Sequence, residues 1–219
     1  MDARKLALMI DHTLLAPEAT MGDIEQLCSD AIDLEVGAIC VSPSMLPLAN
    51  GLLPASIKTA AVVGFPSGAH QPQVKAAEAQ LACRNGANEI DMVINLALVS
   101  SSNWAVVTEE VAVVRSAIPP DVILKVIIES ALWTDQQIVG VCTAAVEGGA
   151  NFVKTSTGFH KSGGASLGAV RLMRKTVGET IGVKASGGIR TYADAIAMIE
   201  AGASRIGASA SRAILSEAE

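Results

Sequence analysis

Four times along the chain the pair Gly-Ala closes a helical pattern and opens an apolar run: EVGAICV, RNGANEIDMVIN, EGGANFVKTST and EAGASRIGAS. Glycine takes the left-handed turn that ends a helix at no steric cost, so Gly37, Gly86, Gly149 and Gly202 are expected helix C-caps, each with a strand beginning directly after it. These glycines lie roughly 50 to 60 residues apart, whereas a strand–helix–strand unit needs only about 30. Each interval therefore has room for a second strand. KTAAVVGFP, ILKVIIES and IGVKASGG supply it, being rich in apolar or β-branched residues and free of helical periodicity. LMIDHT near the start brings the expected strands to eight.

The segments between them carry apolar residues at three- and four-residue spacing: Ile24, Leu27, Cys28 and Ala31; Val74, Ala77 and Leu81; Trp104, Val107, Val111 and Val114. Three of these helices begin with a capping box, Thr20 with Asp23, Thr134 with Gln137 and Thr191 with Asp194. An eightfold β/α alternation with no linker or composition break predicts one (β/α)8 TIM barrel over residues 1–219. The competing open doubly wound sheet would call for a G-x-G-x-x-G turn after the first strand, and that turn is absent.

Half the residues are hydrophobic and 17% are charged, the balance of a compact domain with a sizeable core. A net charge of −6 without any basic run argues against nucleic acid as a partner. Cys28, Cys40, Cys83 and Cys142 stand far apart with no C-x-x-C pair, so neither a disulfide framework nor a zinc site is expected, and a reducing, cytoplasmic compartment fits. The start MDARKLALMIDHT lacks the long apolar core of a secretory signal. The longest uncharged stretch, Val36 to Ile57, is broken by Pro43, Pro47, Gly51 and Pro54, so no membrane span is expected.

Side chains alternate across a strand, so parity groups those that share a face. Phe152, Lys154 and Ser156 go together, as do Gly182, Lys184 and Ser186; Glu89, Asp91, Val93 and Asn95; Lys125, Ile127 and Glu129; and Asp11 with Thr13. The opposite faces are largely apolar and suit helix packing, which leaves the charged set pointing into the barrel. A structural ion-pair network would explain such a set, and so would an active site at the C-terminal strand ends. Lys154 and Lys184 on adjacent strands favour chemistry: two like charges do not stabilise a fold, but they lower each other's pKa, and only a neutral amine attacks a carbonyl to form a Schiff base. Asp91 can balance the remaining charge and relay protons.

Gly-rich turns follow the last strands, SGGIR (Ser186–Arg190) and IGAS (Ile206–Ser209), where barrels commonly hold a phosphate on backbone N–H groups. A tight turn would also explain the Gly pair alone. With Gly158 after the sixth strand and Arg190 alongside, a phosphate site is the better reading. His12 faces away from Asp11 by parity and is expected to pack in the core. His70 and His160 fall in loops without ligand spacing, so no metal is expected. Cys40 is most simply a small buried hydrophobe.

The motifs VKTSTGF around Lys154, VKASGGIR around Lys184, EIDMVIN around Asp91 and KVIIE from Lys125 to Glu129 resemble those of the deoxyribose-phosphate aldolases, from IDHTLL to the IGAS loop. The resemblance implies a TIM barrel without cofactor that cleaves 2-deoxy-D-ribose 5-phosphate to D-glyceraldehyde 3-phosphate and acetaldehyde. It implies Lys154 as the Schiff-base lysine, Lys184 and Asp91 as proton-handling residues, and Gly158, Gly187, Gly188, Arg190, Gly207 and Ser209 around the substrate phosphate. It also implies a homo-oligomer, dimer or tetramer. The chain departs from the family pattern at Ala210, where a second serine is usual, and at Ala16, where a lysine is common; neither touches the three catalytic candidates. Another lysine-imine sugar-phosphate aldolase or transaldolase, or a non-catalytic sugar-phosphate-binding barrel, would share much of this set.

Overall fold

The apolar runs become strands in the structure, a computed structural model that describes residues 1–218: β1 (Ile10–Leu14), β2 (Ala38–Val41), β3 (Lys58–Val63), β4 (Glu89–Val93), β5 (Ile123–Ile127), β6 (Phe152–Lys154), β7 (Gly182–Ser186) and β8 (Arg205–Ala208). The helices are α1 (Ala3–Leu8), α2 (Met21–Asp33), α3 (Pro72–Arg84), α4 (Leu96–Ser100), α5 (Trp104–Ala117), α6 (Asp135–Glu147), α7 (Leu167–Val177), α8 (Tyr192–Glu200) and α9 (Ser211–Ser216). All neighbouring strands are parallel, and β8 returns to pair with β1, closing a TIM barrel in chain order.

Strand parity divides the buried residues into two sets. Ile39, Val41, Ala61, Val63, Ile90, Met92, Leu124, Val126, Val153, Val183 and Ile206 point outward and join one continuous core with the helices. Inside the barrel, Cys40, Ala60 and Val62 form a small separate apolar patch with Leu15 and Phe65. Also inside are the charged side chains of Asp11, Glu89, Asp91, Lys125, Lys154 and Lys184, none more than 3% exposed. Phe152 fits its ring inside because the facing Gly182 has no side chain; a Cβ there would lie 2.1 Å from the ring.

All three expected capping boxes form, at Thr20, Thr134 and Thr191. Of the four Gly-Ala glycines, Gly86, Gly149 and Gly202 take the left-handed turn, but Gly37 does not. Glu35 turns left-handed in its place, and Gly37 is required for another reason: a Cβ there would lie 2.2 Å from the Leu8 carbonyl oxygen. Helix α3 corrects a second expectation. Val74, Ala77 and Leu81 face outward, and the buried face is Lys75, Ala76, Ala79 and Ala82.

Lys75 fixes that rotation. Its Nζ donates to Glu110 Oε1 on α5 at 2.7 Å and to the Val93 carbonyl at 2.7 Å, while Glu110 Oε2 accepts from the Asn95 N–H at 2.9 Å. Both side chains are fully buried, and together they pin the C-terminal end of β4. Breaking a buried pair leaves an uncompensated charge and costs about 3–5 kcal/mol, whereas replacing both partners with apolar groups is far milder. Glu110→Leu should therefore lower the urea midpoint sharply, and Lys75→Met/Glu110→Leu should return part of the loss despite the orphaned Asn95 N–H.

Candidate active site

The β6–β7 register pairs Lys154 with Lys184 as Cα partners, and the β4–β5 register pairs Asp91 with Lys125. These four side chains meet at Asp91. Its Oδ1 accepts from Lys125 at 2.7 Å, and its Oδ2 accepts from both Lys154 at 2.8 Å and Lys184 at 2.7 Å. Lys184 also donates to Asp11 Oδ2 at 2.5 Å. On the far side Asp11 accepts from Arg205 Nε at 2.8 Å, Arg205 pairs with Glu89 at 3.1 Å, and Glu89 pairs with Lys125 at 2.5 Å.

The lysines diverge electrostatically. Burial lowers the Lys154 pKa, Asp91 opposes that shift, and Lys184 reinforces it. For Lys184 burial pulls the same way, but Asp11 and Asp91 outweigh it and hold the ammonium protonated. Asp91 is buried too, yet Lys125, Lys154 and Lys184 keep its pKa well below the usual carboxylate range. The expectation that the two lysines depress each other therefore holds for one of them. Desolvation is the larger cause at Lys154, and Lys184 is the fixed cation beside it.

A cavity of about 530 Å³ opens above this cluster at the C-terminal ends of the strands, within the size range of small-molecule sites. Lys154 lines it, together with Gly158, Gly187, Gly188, Arg190, Gly207 and Ser209, so the fold brings the expected anion-site residues to one mouth. Lys184 and Asp91 lie beneath, fully buried. Gly207 leaves room for the Lys184 side chain, since a Cβ there would lie 3.0 Å from its Cε. Gly164 packs on Gly187, where a Cβ would lie 2.1 Å from the Gly187 carbonyl oxygen, so the loops after β6 and β7 are stacked.

Strand β6 ends at Lys154, and hydroxyl groups continue its pairing. Thr155 Oγ1 donates to the Ser186 carbonyl at 3.1 Å and accepts from the Ser186 N–H at 3.0 Å. Ser186 Oγ donates to the Ser156 carbonyl at 2.7 Å. Thr157 donates its hydroxyl to Glu129 Oε2 at 2.7 Å. Parity grouped Glu129 with Lys125, but Glu129 lies past the end of β5 in a left-handed conformation, where alternation no longer applies; its carboxylate holds the loop after β6 instead.

His12 faces the helices, bonded through Nδ1 to Ser211 Oγ at 2.8 Å, as expected of a core residue. Cys40 points into the barrel within the electrostatic reach of Asp91 and the three lysines, and burial pushes its thiol pKa up. No cluster suited to a metal ion occurs among the described residues, and none of the described helices is long and apolar enough to cross a membrane. The sequence reading put Thr13 on the inward face without assigning it to the site, and it missed the Leu14–Glu18 wall of the cavity and Arg205. Arg205 was within reach of parity, because it shares the inward face of β8 with Gly207.

A family model described as DeoC/LacD family aldolase matches residues 5–217. A deoxyribose-phosphate aldolase from Corynebacterium diphtheriae is 55% identical over 212 residues, covering 97% of this chain and 96% of the relative. One from Kocuria rhizophila is 54% identical over 211 residues, covering 96% of this chain and 95% of the relative. A tetrameric deoxyribose phosphate aldolase from Aeropyrum pernix superposes with a TM-score of 0.86 at 34% identity, over 98% of this chain and 91% of that one.

The buried carboxylates tie stability to pH. Despite its burial, Asp11 is held by Lys184, Lys125 and Arg205 below its ordinary pKa of 3.8, so its contribution is full above that value and lost as pH falls below it. At pH 7 Asp11→Asn should cost about 3 kcal/mol by leaving buried cations undercompensated. Denaturant titrations at decreasing pH should show that difference shrinking once the pH drops under 3.8.

Proposed function

Because the chain belongs to the DeoC/LacD family of aldolases, we infer that it reversibly cleaves 2-deoxy-D-ribose 5-phosphate to D-glyceraldehyde 3-phosphate and acetaldehyde through an imine on Lys154. One observation carries the role of this lysine: of the three lysines on Asp91, Lys154 alone reaches the cavity, and burial draws its pKa down toward the neutral amine. The imine acts as the electron sink, so the chemistry requires no metal or organic cofactor.

In the cleavage direction the amine of Lys154 adds to the open-chain aldehyde, and loss of water gives the imine. Deprotonation of the C3 hydroxyl then breaks the C2–C3 bond; the electron pair moves into the nitrogen-bound fragment, leaving an enamine and free glyceraldehyde 3-phosphate. Protonation of the enamine carbon and hydrolysis release acetaldehyde. Asp91, ionised and 2.8 Å from Lys154 Nζ, is placed to accept protons around the nitrogen. Lys184 stays an ammonium, favours the neutral form of Lys154 and can donate protons through Asp91 or a water.

Gly158, Gly187, Gly188, Gly207, Ser209 and Arg190 hold the substrate phosphate in this reading, with the backbone of the stacked loops exposed to the anion by the missing side chains. Ala210 offers no hydroxyl where the family usually has one. The apolar patch of Cys40, Ala60 and Val62 lies across the barrel from β6 and β7, a small surface suited to a methyl group rather than a bulky ketone donor. We also propose a cytoplasmic homo-oligomer, dimer or tetramer; the free, scattered cysteines and the tetrameric Aeropyrum pernix relative support it.

Borohydride reduction in the presence of acetaldehyde should add a stable two-carbon mass to the peptide carrying Lys154. Lys154→Met should lose both the adduct and on the order of 10³-fold or more in kcat. An active preparation that traps at another lysine, or that prefers ketone donors in a donor panel, would refute the assignment.

A further inference from the structure

The charged interior extends well beyond the three residues that handle the imine. From the floor upward it holds Arg205 at the start of β8, Glu89 at the start of β4, then Asp11, Lys125, Asp91 and Lys184, and Lys154 at the cavity. Besides β6, which carries Lys154 itself, every strand but β3 contributes a titratable group facing Lys154 or its partners: Asp11 from β1, Cys40 from β2, Glu89 and Asp91 from β4, Lys125 from β5, Lys184 from β7 and Arg205 from β8. From β3 come only Ala60 and Val62 at that depth; its Lys58 is exposed and bonds the Ala55 carbonyl. Glu129 is turned to Thr157.

Three carboxylates, Asp11, Glu89 and Asp91, are interlinked with three permanent cations, Lys125, Lys184 and Arg205. The set is neutral only when Lys154 is uncharged; a proton on Lys154 leaves one uncompensated positive charge in a buried network, which is costly at low effective dielectric. We propose that Arg205 and Glu89, which form the floor of this network away from the substrate, are positioning residues that set the protonation state of Lys154 through the network's charge balance. They touch neither Lys154 nor the cavity. Arg205 acts through Asp11 and Lys184, and Glu89 acts through Lys125 and Asp91. The proposal rests on the imine reading above.

The signs follow from the charge count. Glu89→Gln removes a negative charge and makes the network more hostile to a proton on Lys154. Arg205→Met removes a positive charge and makes the proton welcome. The acid limb of kcat/KM, and of the rate of borohydride-trappable imine formation, should move to lower pH in Glu89→Gln and to higher pH in Arg205→Met. Each shift should be on the order of one pH unit, the effect of a unit charge about 10 Å away at an effective dielectric of 20. Arg205→Lys should restore the wild-type limb, and so should the rebalanced Glu89→Gln/Arg205→Met.

Limbs that stay in place or move in the same direction, or lost activity with an unshifted profile, would reduce both residues to structural supports and overturn the proposal. Should Arg205→Met fail to fold, the profiles of Glu89→Gln and Arg205→Lys still decide it, since an unmoved Glu89→Gln limb is sufficient to sink it. A wild type that traps no imine on Lys154 removes the imine reading itself. Trapping in the wild type with unmoved variants removes only the role of the floor.

Discussion

One carboxylate shared by three lysines organises this molecule. Asp91 is fully buried, and a buried carboxylate survives only with partners of opposite charge. Those partners come from β5, β6 and β7, so the ion cluster exists only when four successive strands hold their register. The barrel and the ion cluster are thus one construction: slipping β5, β6 or β7 by one residue would turn its inward lysine out into the helix layer and leave Asp91 undercompensated. The Lys75–Glu110 pair outside the barrel serves the same end by pinning the chain just beyond Asp91.

The interior is asymmetric as a result. The β2–β3 side is small and apolar, and each remaining strand carries at least one charged side chain inward. An amine facing an apolar wall, with an ammonium on one flank and a carboxylate beneath, is kept poor in solvent without losing a proton acceptor. That combination separates Lys154 from Lys125 and Lys184, which are equally buried but saturated with carboxylates. Identical side chains acquire different roles from the number of anions each one touches.

Much of this was legible in local pattern. Period-two alternation is a property of single strands, so parity placed Asp11, Asp91, Lys125, Lys154 and Lys184 inside without knowledge of any partner. Capping boxes are equally local, and all three formed. What escaped the sequence was relational. The α3 helix turned away from its apparent apolar stripe because Lys75 had a partner on α5, 35 residues away. Parity could have turned Arg205 inward, but its partners Asp11 and Glu89 are brought together only by barrel closure. Gly37 was recognised as necessary for the wrong reason, since a close approach by α1 cannot be seen in the chain around it. That burial outweighs Lys184 at Lys154 could not be read from the chain, because desolvation is a property of the assembled interior.

Thr155 bears on how such a barrel can change over time. Past Lys154 the backbone pairs with β7 once more, Thr155 N–H to the Lys184 carbonyl at 3.0 Å, and the Thr155 hydroxyl, making two bonds to Ser186, serves as a splint between β6 and β7 beyond that point. The spacing of Lys154 and Lys184 is thereby held by bonds that all precede Gly158. The same splint makes Thr155 a poor site for variation, since valine would match its shape and lose the tether.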